Sequence, residues 1–325
     1  MTLDSQPTLG LVVPWLTLRE LWRVRTLNRH CRAVVAGHAR QLTAHSSITH
    51  AAELPQAQRA FPSARHLALP QVSVEASALP AALASLALWR LERLELGCVW
   101  YLTDTLVRVV TETCPSLQSL ILRQCFLLKQ PTIIGPQLRT VVIENCMLTA
   151  FHDDTAWPKL QELRVSSRVL DTMSARHLLK SQLRETELRV LCLAHCAMIE
   201  QVLIDPGELP SLQELDLRSC IGLRRVHVAS ASIQSVDLTL CVALETVVLD
   251  LGAVERLDLS FLQQLTQLFL RSDSIQHLTL TSCKALSREN VIIACPSVRT
   301  AILQGTRLTA QDLNRPDDDR ERVPW

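Results

Sequence analysis

Cysteine is the residue type here that could carry chemistry in a pattern. Of the eleven cysteines in the chain, Cys125, Cys146, Cys196, Cys220, Cys241 and Cys283 each stand three residues after an apolar-x-apolar figure, and His195 adjoins Cys196. Thiols in a regular column, with an imidazole at hand, suggest a soft-metal site. Zinc, however, takes four ligands converging from tetrahedral directions, with close pairs such as Cys-x-x-Cys. The chain contains no such pair. A disulfide framework would be expected only in a secreted chain. The expectation is therefore one small buried residue closing each turn of a repeat, with no metal and no cofactor. A Gly-x-Ser-x-Gly elbow, a His-Glu-x-x-His helix and a phosphate-cradling loop are all missing, and the chain has only eight glycines. No catalytic residues are assigned, and the chain is not expected to be an enzyme.

Charge offers a second pattern. Asp216, Asp237 and Asp258 each sit between two apolar residues, as in Leu215-Asp216-Leu217. Apolar residues two apart share one face of a strand, so the aspartates point away from it. Stacked like charges repel, which folding alone gives no reason to accept. One reading is a site for a basic segment of a protein target. The other is a solvated ladder partly neutralised by Arg218 and Arg256. On the same outward columns fall Glu95, Ile121, Arg123, Val142 and Arg164. These ten residues are the expected target-binding set, with an apolar patch at Ile121 and Val142.

The elements that must position them repeat. The figure L-x-x-L-x-L begins at Leu212, Leu223, Ile233, Leu244, Val254, Leu265 and Ile275, in alternating steps of 11 and 10 residues. A fixed period of this kind marks a stacked array. Each strand is too short to bury its face alone, so successive coils must stack in parallel, with extended chain on both walls. Proline two positions before the lead apolar residue, at Pro115, Pro136, Pro158, Pro210 and Pro296, marks where the chain comes into a strand from outside the sheet. Helical spacing follows Thr103 and covers residues 170–187, and a helix is also expected from Ser287 to Cys295.

Cysteine at the ninth repeat position, together with Cys114-Pro115 and Cys295-Pro296 just before strands, makes residues 61–308 resemble cysteine-containing leucine-rich repeats. Position nine holds Arg168 and Leu262 in two coils, and Cys98 falls one place early, so those coils are expected to be irregular. The fold class is then an α/β solenoid, a leucine-rich-repeat array of parallel short strands preceded by a small N-terminal helical unit.

That unit spans residues 9–40. Leu18, Leu21, Val24, Leu27 and Cys31 recur at helical spacing, with Thr17 as N-cap. The run from Val12 to Arg32 resembles an F-box, with Leu16, Glu20-Leu21, Leu27 and Arg32 on matching positions. It lacks the family's Leu-Pro-x-Glu opening and has Cys31 where the family has tryptophan. The resemblance implies that Leu16, Leu18, Leu21, Trp22 and Leu27 dock a Skp-type adaptor and, through it, a cullin. The array would then capture a target for ubiquitination, as the substrate-recognition subunit of an SCF-type (cullin-RING) ubiquitin ligase. The alternative is a non-catalytic scaffold subunit of a larger assembly, in which these helices only cap the first coil.

Residues 41–60 are expected to be a connector with some helix, and 309–325 a charged, disordered tail. A net charge of +1, without a dense basic stripe, argues against nucleic acid as a partner. No run approaches the roughly 18 uncharged apolar residues of a membrane span, and Asp4 stands where a secretory signal would carry bases. A cytoplasmic or nuclear location follows as an expectation, with no membrane partner.

Overall fold

The apolar-x-apolar figures fold as parallel strands whose apolar side chains point inward. The structure, a computed structural model, describes residues 39–43 and 53–313, together with Glu20, Arg23, Ala33, Val35 and Ala36. The adaptor residues Leu16, Leu18, Leu21, Trp22 and Leu27 lie outside the described residues, as does the tail from residue 314 onward. The chain forms two compact units. The first holds residues up to Met147 and Phe151–Leu160; the second holds Leu148–Ala150 and the chain from Gln161.

In the first unit, β1 (Gln41–Thr43), β2 (His66–Leu69), β3 (Arg93–Gly97), β4 (Ser119–Arg123) and β5 (Thr140–Glu144) pair in sequence order, all parallel. β1 lies inside the segment expected as a connector, so the sheet starts one strand before residue 61. Helices Glu53–Ala60, Leu79–Ala84 and Asp104–Thr113 follow β1, β2 and β3. The last of these buries Val107, Val110 and Thr111, starts on Asp104, which suits the positive end of the helix dipole, and carries an Arg108–Glu112 pair at 2.8 Å. Trp157 fills the interior near the end of this unit, edge-on to Phe151 at 5.0 Å.

The second unit has extended chain on two walls, as the double figure predicts. After β6 (Glu162–Ser166) and β7 (Val190–Cys192), back and front strands alternate along the chain. They are β8 (Gln201–Ile204), β9 (Glu214–Asp216), β10 (Arg225–Ser230), β11 (Ser235–Asp237), β12 (Thr246–Leu251), β13 (Arg256–Asp258), β14 (Gln267–Arg271), β15 (His277–Thr279), β16 (Val291–Ala294) and β17 (Thr300–Ile302). The back sheet runs β8-β10-β12-β14-β16 without a break. On the front, β6-β7-β9-β11 and β13-β15-β17 form separate ladders. Helix Thr172–His177, capped by Asp171 through the Ser174 N–H at 2.8 Å, continues as a wider turn over Leu178–Gln182. Between Ser287 and Cys295 the structure corrects the expected helix. A single turn at Arg288–Asn290 leads into β16, where Val291-Ile292-Ile293 alternates buried and half-buried against β14. Three consecutive β-branched residues fit a pleated wall better than a helix.

Most front strands end in the same turn. The residue before the ninth position has left-handed φ in eight non-glycine cases, among them Gln124 (55°), Asn145 (53°), Ser219 (57°) and Ser282 (62°). The turn aims the ninth residue inward. There the cysteine thiol reaches the sixth-position carbonyl of the preceding coil: Cys220 to Leu193 O and Cys241 to Leu217 O at 3.1 Å, and Cys283 to Leu259 O at 3.0 Å. A small, weak donor thus satisfies a backbone acceptor that a leucine would leave bare. Where cysteine is absent the coil adapts in one of two ways. Val99 and Leu262 simply fill the place and are buried. In the Arg168 coil, Arg168 stays outside and the buried Ser167 donates to Leu148 O at 2.6 Å.

Candidate functional site

Most thiols of the column are buried and held protonated. Burial pushes the Cys196, Cys241 and Cys295 thiols up to about 12, and raises Cys220 as well. Thiols held protonated are poor nucleophiles and poor metal ligands. Among the described residues no group of three or more His, Cys, Asp or Glu is placed to hold a metal ion. Cys98 differs, because its coil places it in the left-handed position at φ 49°, half-buried, with its thiol 2.7 Å from Gln124 Oε1. Iodoacetamide near pH 8 should therefore label Cys98 first among the ten described cysteines, with the other nine protected until denaturant is added. Peptide mapping by mass spectrometry checks this, and equal labelling of Cys220 and Cys98 would contradict the packing.

The expected target-binding residues fall on the front strands of the two units. In the first unit Arg123 is the hub. Its Nε donates to Glu144 Oε2 at 2.8 Å and its Nη1 pairs with Glu95, which also faces Arg93 Nη2 at 3.9 Å. The bond to Glu144 is the main cause that raises the Arg123 guanidinium above its ordinary value. Ile121 and Val142 do not form the expected apolar patch, since they are only 3% and 7% exposed. β4 and β5 are in register over five residues, with Ile121 paired between Glu95 and Val142. Mid-ladder side chains cover one another there and leave the charged ends as the accessible groups.

In the second unit Arg164 Nε lies 2.5 Å from Glu162 Oε1. Asp216 and Asp237 stand in direct register, while Asp258 belongs to the next ladder. Each aspartate accepts the backbone N–H two residues on: Arg218 N at 3.0 Å, Thr239 N at 2.9 Å and Ser260 N at 2.9 Å. One carboxylate oxygen therefore closes the turn at the strand end, a structural use that the sequence reading did not separate from binding. Arg218 clamps Asp216, with Nη2–Oδ2 at 2.7 Å and Nε–Oδ1 at 3.0 Å, and reaches Asp237 Oδ2 at 3.4 Å. Burial pushes the Asp216 carboxyl up, but the bonds from Arg218 and Cys192 outweigh it and hold it below its ordinary value. Arg256 is exposed and makes no ion pair among the described residues, so of the two expected neutralising arginines only Arg218 acts. Asp258 is exposed and equally without an ion pair among the described residues.

Position-by-position reading of the strands missed the residues just after them. Trp100 (59% exposed), Tyr101, Phe126, Leu127 and Met147 stand on the turns that follow β3, β4 and β5, with Trp100 and Phe126 in tilted contact at 6.1 Å. In the second unit Ile221, Leu240, Val242 and Phe261 occupy the corresponding turns. Aromatic and aliphatic residues where the other turns are polar were the available signal.

Parallel stacked strands, the left-handed turn and the inward ninth residue define a leucine-rich-repeat solenoid fold. More particularly, residues 27–171 match the family model described as FBD-associated F-box protein At5g56370, LRR repeats. No curated protein sequence matches the chain. Among solved structures the chain is similar to one described as "Crystal structure of Rad7 and Elc1 complex in yeast", at 13% identity over 96% of this chain and 87% of that chain, with a TM-score of 0.39. Among the described residues no helix is long and apolar enough to cross a membrane.

Proposed function

We propose that this chain is a non-catalytic substrate receptor of an SCF-type ubiquitin ligase. Residues 9–40 would dock a Skp-type adaptor and so a cullin, and the repeat array would hold the protein target. The observation that carries this reading is the match of residues 27–171 to the repeats of an F-box protein. It is supported by the F-box-like run from Val12 to Arg32, whose end overlaps the start of the matched segment at residue 27. Such a receptor would work in the cytoplasm or nucleus.

Affinity purification with mass spectrometry tests it, comparing the intact chain with one lacking residues 1–34. The cut stops there because Val35 and Ala39 are fully buried and their removal would damage the array. The expected result is recovery of adaptor and cullin with the intact chain and loss of both with the shortened one, whose circular dichroism loses only the helical signal of the removed unit while the array still unfolds cooperatively. Failure to recover either from the intact chain, with the same other subunits retained by both forms, would replace the receptor by the scaffold reading.

A further inference from the structure

Leu240 and Phe261 hold the same place in consecutive coils of the second unit, and both are left-handed, at φ 63° and 64°. Gly and Asn tolerate that conformation best; leucine and phenylalanine are strained in it. Equivalent places elsewhere hold Cys98, Gln124, Asn145, His195, Ser219, Ser282 and Gly305, all small or polar. Leu240 and Phe261 also stand 62% and 65% exposed, with Val242 beside them at 52%. Packing explains none of this, because the side chains are directed away from the core. The neighbouring charge is acidic on balance, Asp216, Asp237 and Asp258 standing against Arg218 and Arg256. Three residues upstream in the same coils, Asp237 and Asp258 each commit one oxygen to a backbone N–H. Asp258 lacks an ion pair among the described residues, and Asp237 shares an Arg218 that Asp216 holds more closely.

We infer that Leu240, Val242 and Phe261, rimmed by Asp237 and Asp258, dock a segment of another protein in which a large apolar side chain is flanked by arginine or lysine. The inference rests on the array being the target-binding part of the receptor, and it names what the target must offer. An apolar centre supplies most of the binding energy of such a contact, and its charged rim selects the sign of the partner. An acidic segment is repelled here, and a neutral one leaves the Asp258 carboxylate without an ion pair.

The test is selection of a randomised dodecapeptide display library on the full chain, followed by affinity measurement of enriched peptides on two double variants. Leu240→Asn with Phe261→Asn removes the apolar centre and suits the left-handed turn. Asp237→Asn with Asp258→Asn removes the charge and keeps the oxygen that accepts the backbone N–H. The expected result is enrichment of peptides that combine an aromatic or aliphatic residue with at least two basic ones. Each variant should weaken them tenfold or more at a melting temperature no lower than wild type, and the aspartate variant should also flatten their salt dependence. Peptides without basic residues, no enrichment, or affinities that neither variant moves would overturn the inference. Its failure is separable from that of the receptor reading. Peptide binding as expected, with no adaptor recovered, refutes the ligase role and leaves the docking patch; adaptor recovered with peptides insensitive to both variants does the reverse.

Discussion

Trp157→Ala is expected to cost about 3–5 kcal/mol, the range for removing a large aromatic side chain from a core. Trp157 is 2% exposed and meets Phe151 edge-on at 5.0 Å with a 74° interplanar angle. The backbone around it is tied on both sides: Ala156 N bonds Ile133 O at 2.9 Å, Gly135 N bonds Ala156 O at 2.8 Å, and Leu160 N bonds Trp157 O at 3.0 Å. Those bonds hold the walls of the vacated space, so the core has little freedom to collapse into it, and the cavity part of the penalty persists. Trp157→Phe keeps most of the apolar volume and a ring edge, and should lose clearly less. Urea unfolding followed by far-ultraviolet circular dichroism reads both. A Trp157→Ala midpoint equal to wild type would mean that this indole does not hold the end of the first unit together.

The strands were legible because period-2 alternation inside a fixed repeat has one physical solution. Leu94, Leu120, Val141, Leu215 and Leu257 are all buried where the figure puts them. The cysteines were legible for the same reason, since one small residue per coil at a fixed place is a packing requirement. Trp157 was not legible, because it precedes the lead residue Leu160 and belongs to no repeat position. The front face was legible only as a set of columns. Outward direction is a property of the strand, but exposure depends on neighbours, and Ile121 between Glu95 and Val142 is covered despite pointing outward. The aspartates show the same limit. Their spacing announces a ladder, whereas the turn-closing bonds to Arg218, Thr239 and Ser260 depend on backbone geometry that spacing does not specify. The apolar turns at Trp100, Phe126, Leu240 and Phe261 stood in plain view in the sequence, yet apolar residues beside a strand read as core until the left-handed turn is seen to direct them outward.

Two leucines of one coil should answer the same kind of change in opposite ways. Leu238→Ala is expected to cost roughly 2–5 kcal/mol, whereas Leu240→Asn should leave stability unchanged or raise it by up to about 1 kcal/mol. Leu238 is 1% exposed and its carbonyl accepts Cys241 N at 3.2 Å, so its side chain fills the interior beneath the turn. Leu240, two residues on, is 62% exposed at φ 63°, so asparagine gives up no buried area and relieves backbone strain. Hydrophobicity and sequence neighbourhood are nearly the same at the two sites; only the repeat register separates them. In an array each coil contacts its nearest neighbours, so the Leu238 cavity should also speed amide exchange in β9, whose Asp216 pairs with Asp237. Thermal melts with hydrogen exchange read all three expectations. Equal losses at the two leucines would mean that Leu240 is buried like Leu238 and that the left-handed turn does not direct it outward. Because the docking patch depends on Leu240 pointing outward, that outcome would remove its geometric basis as well.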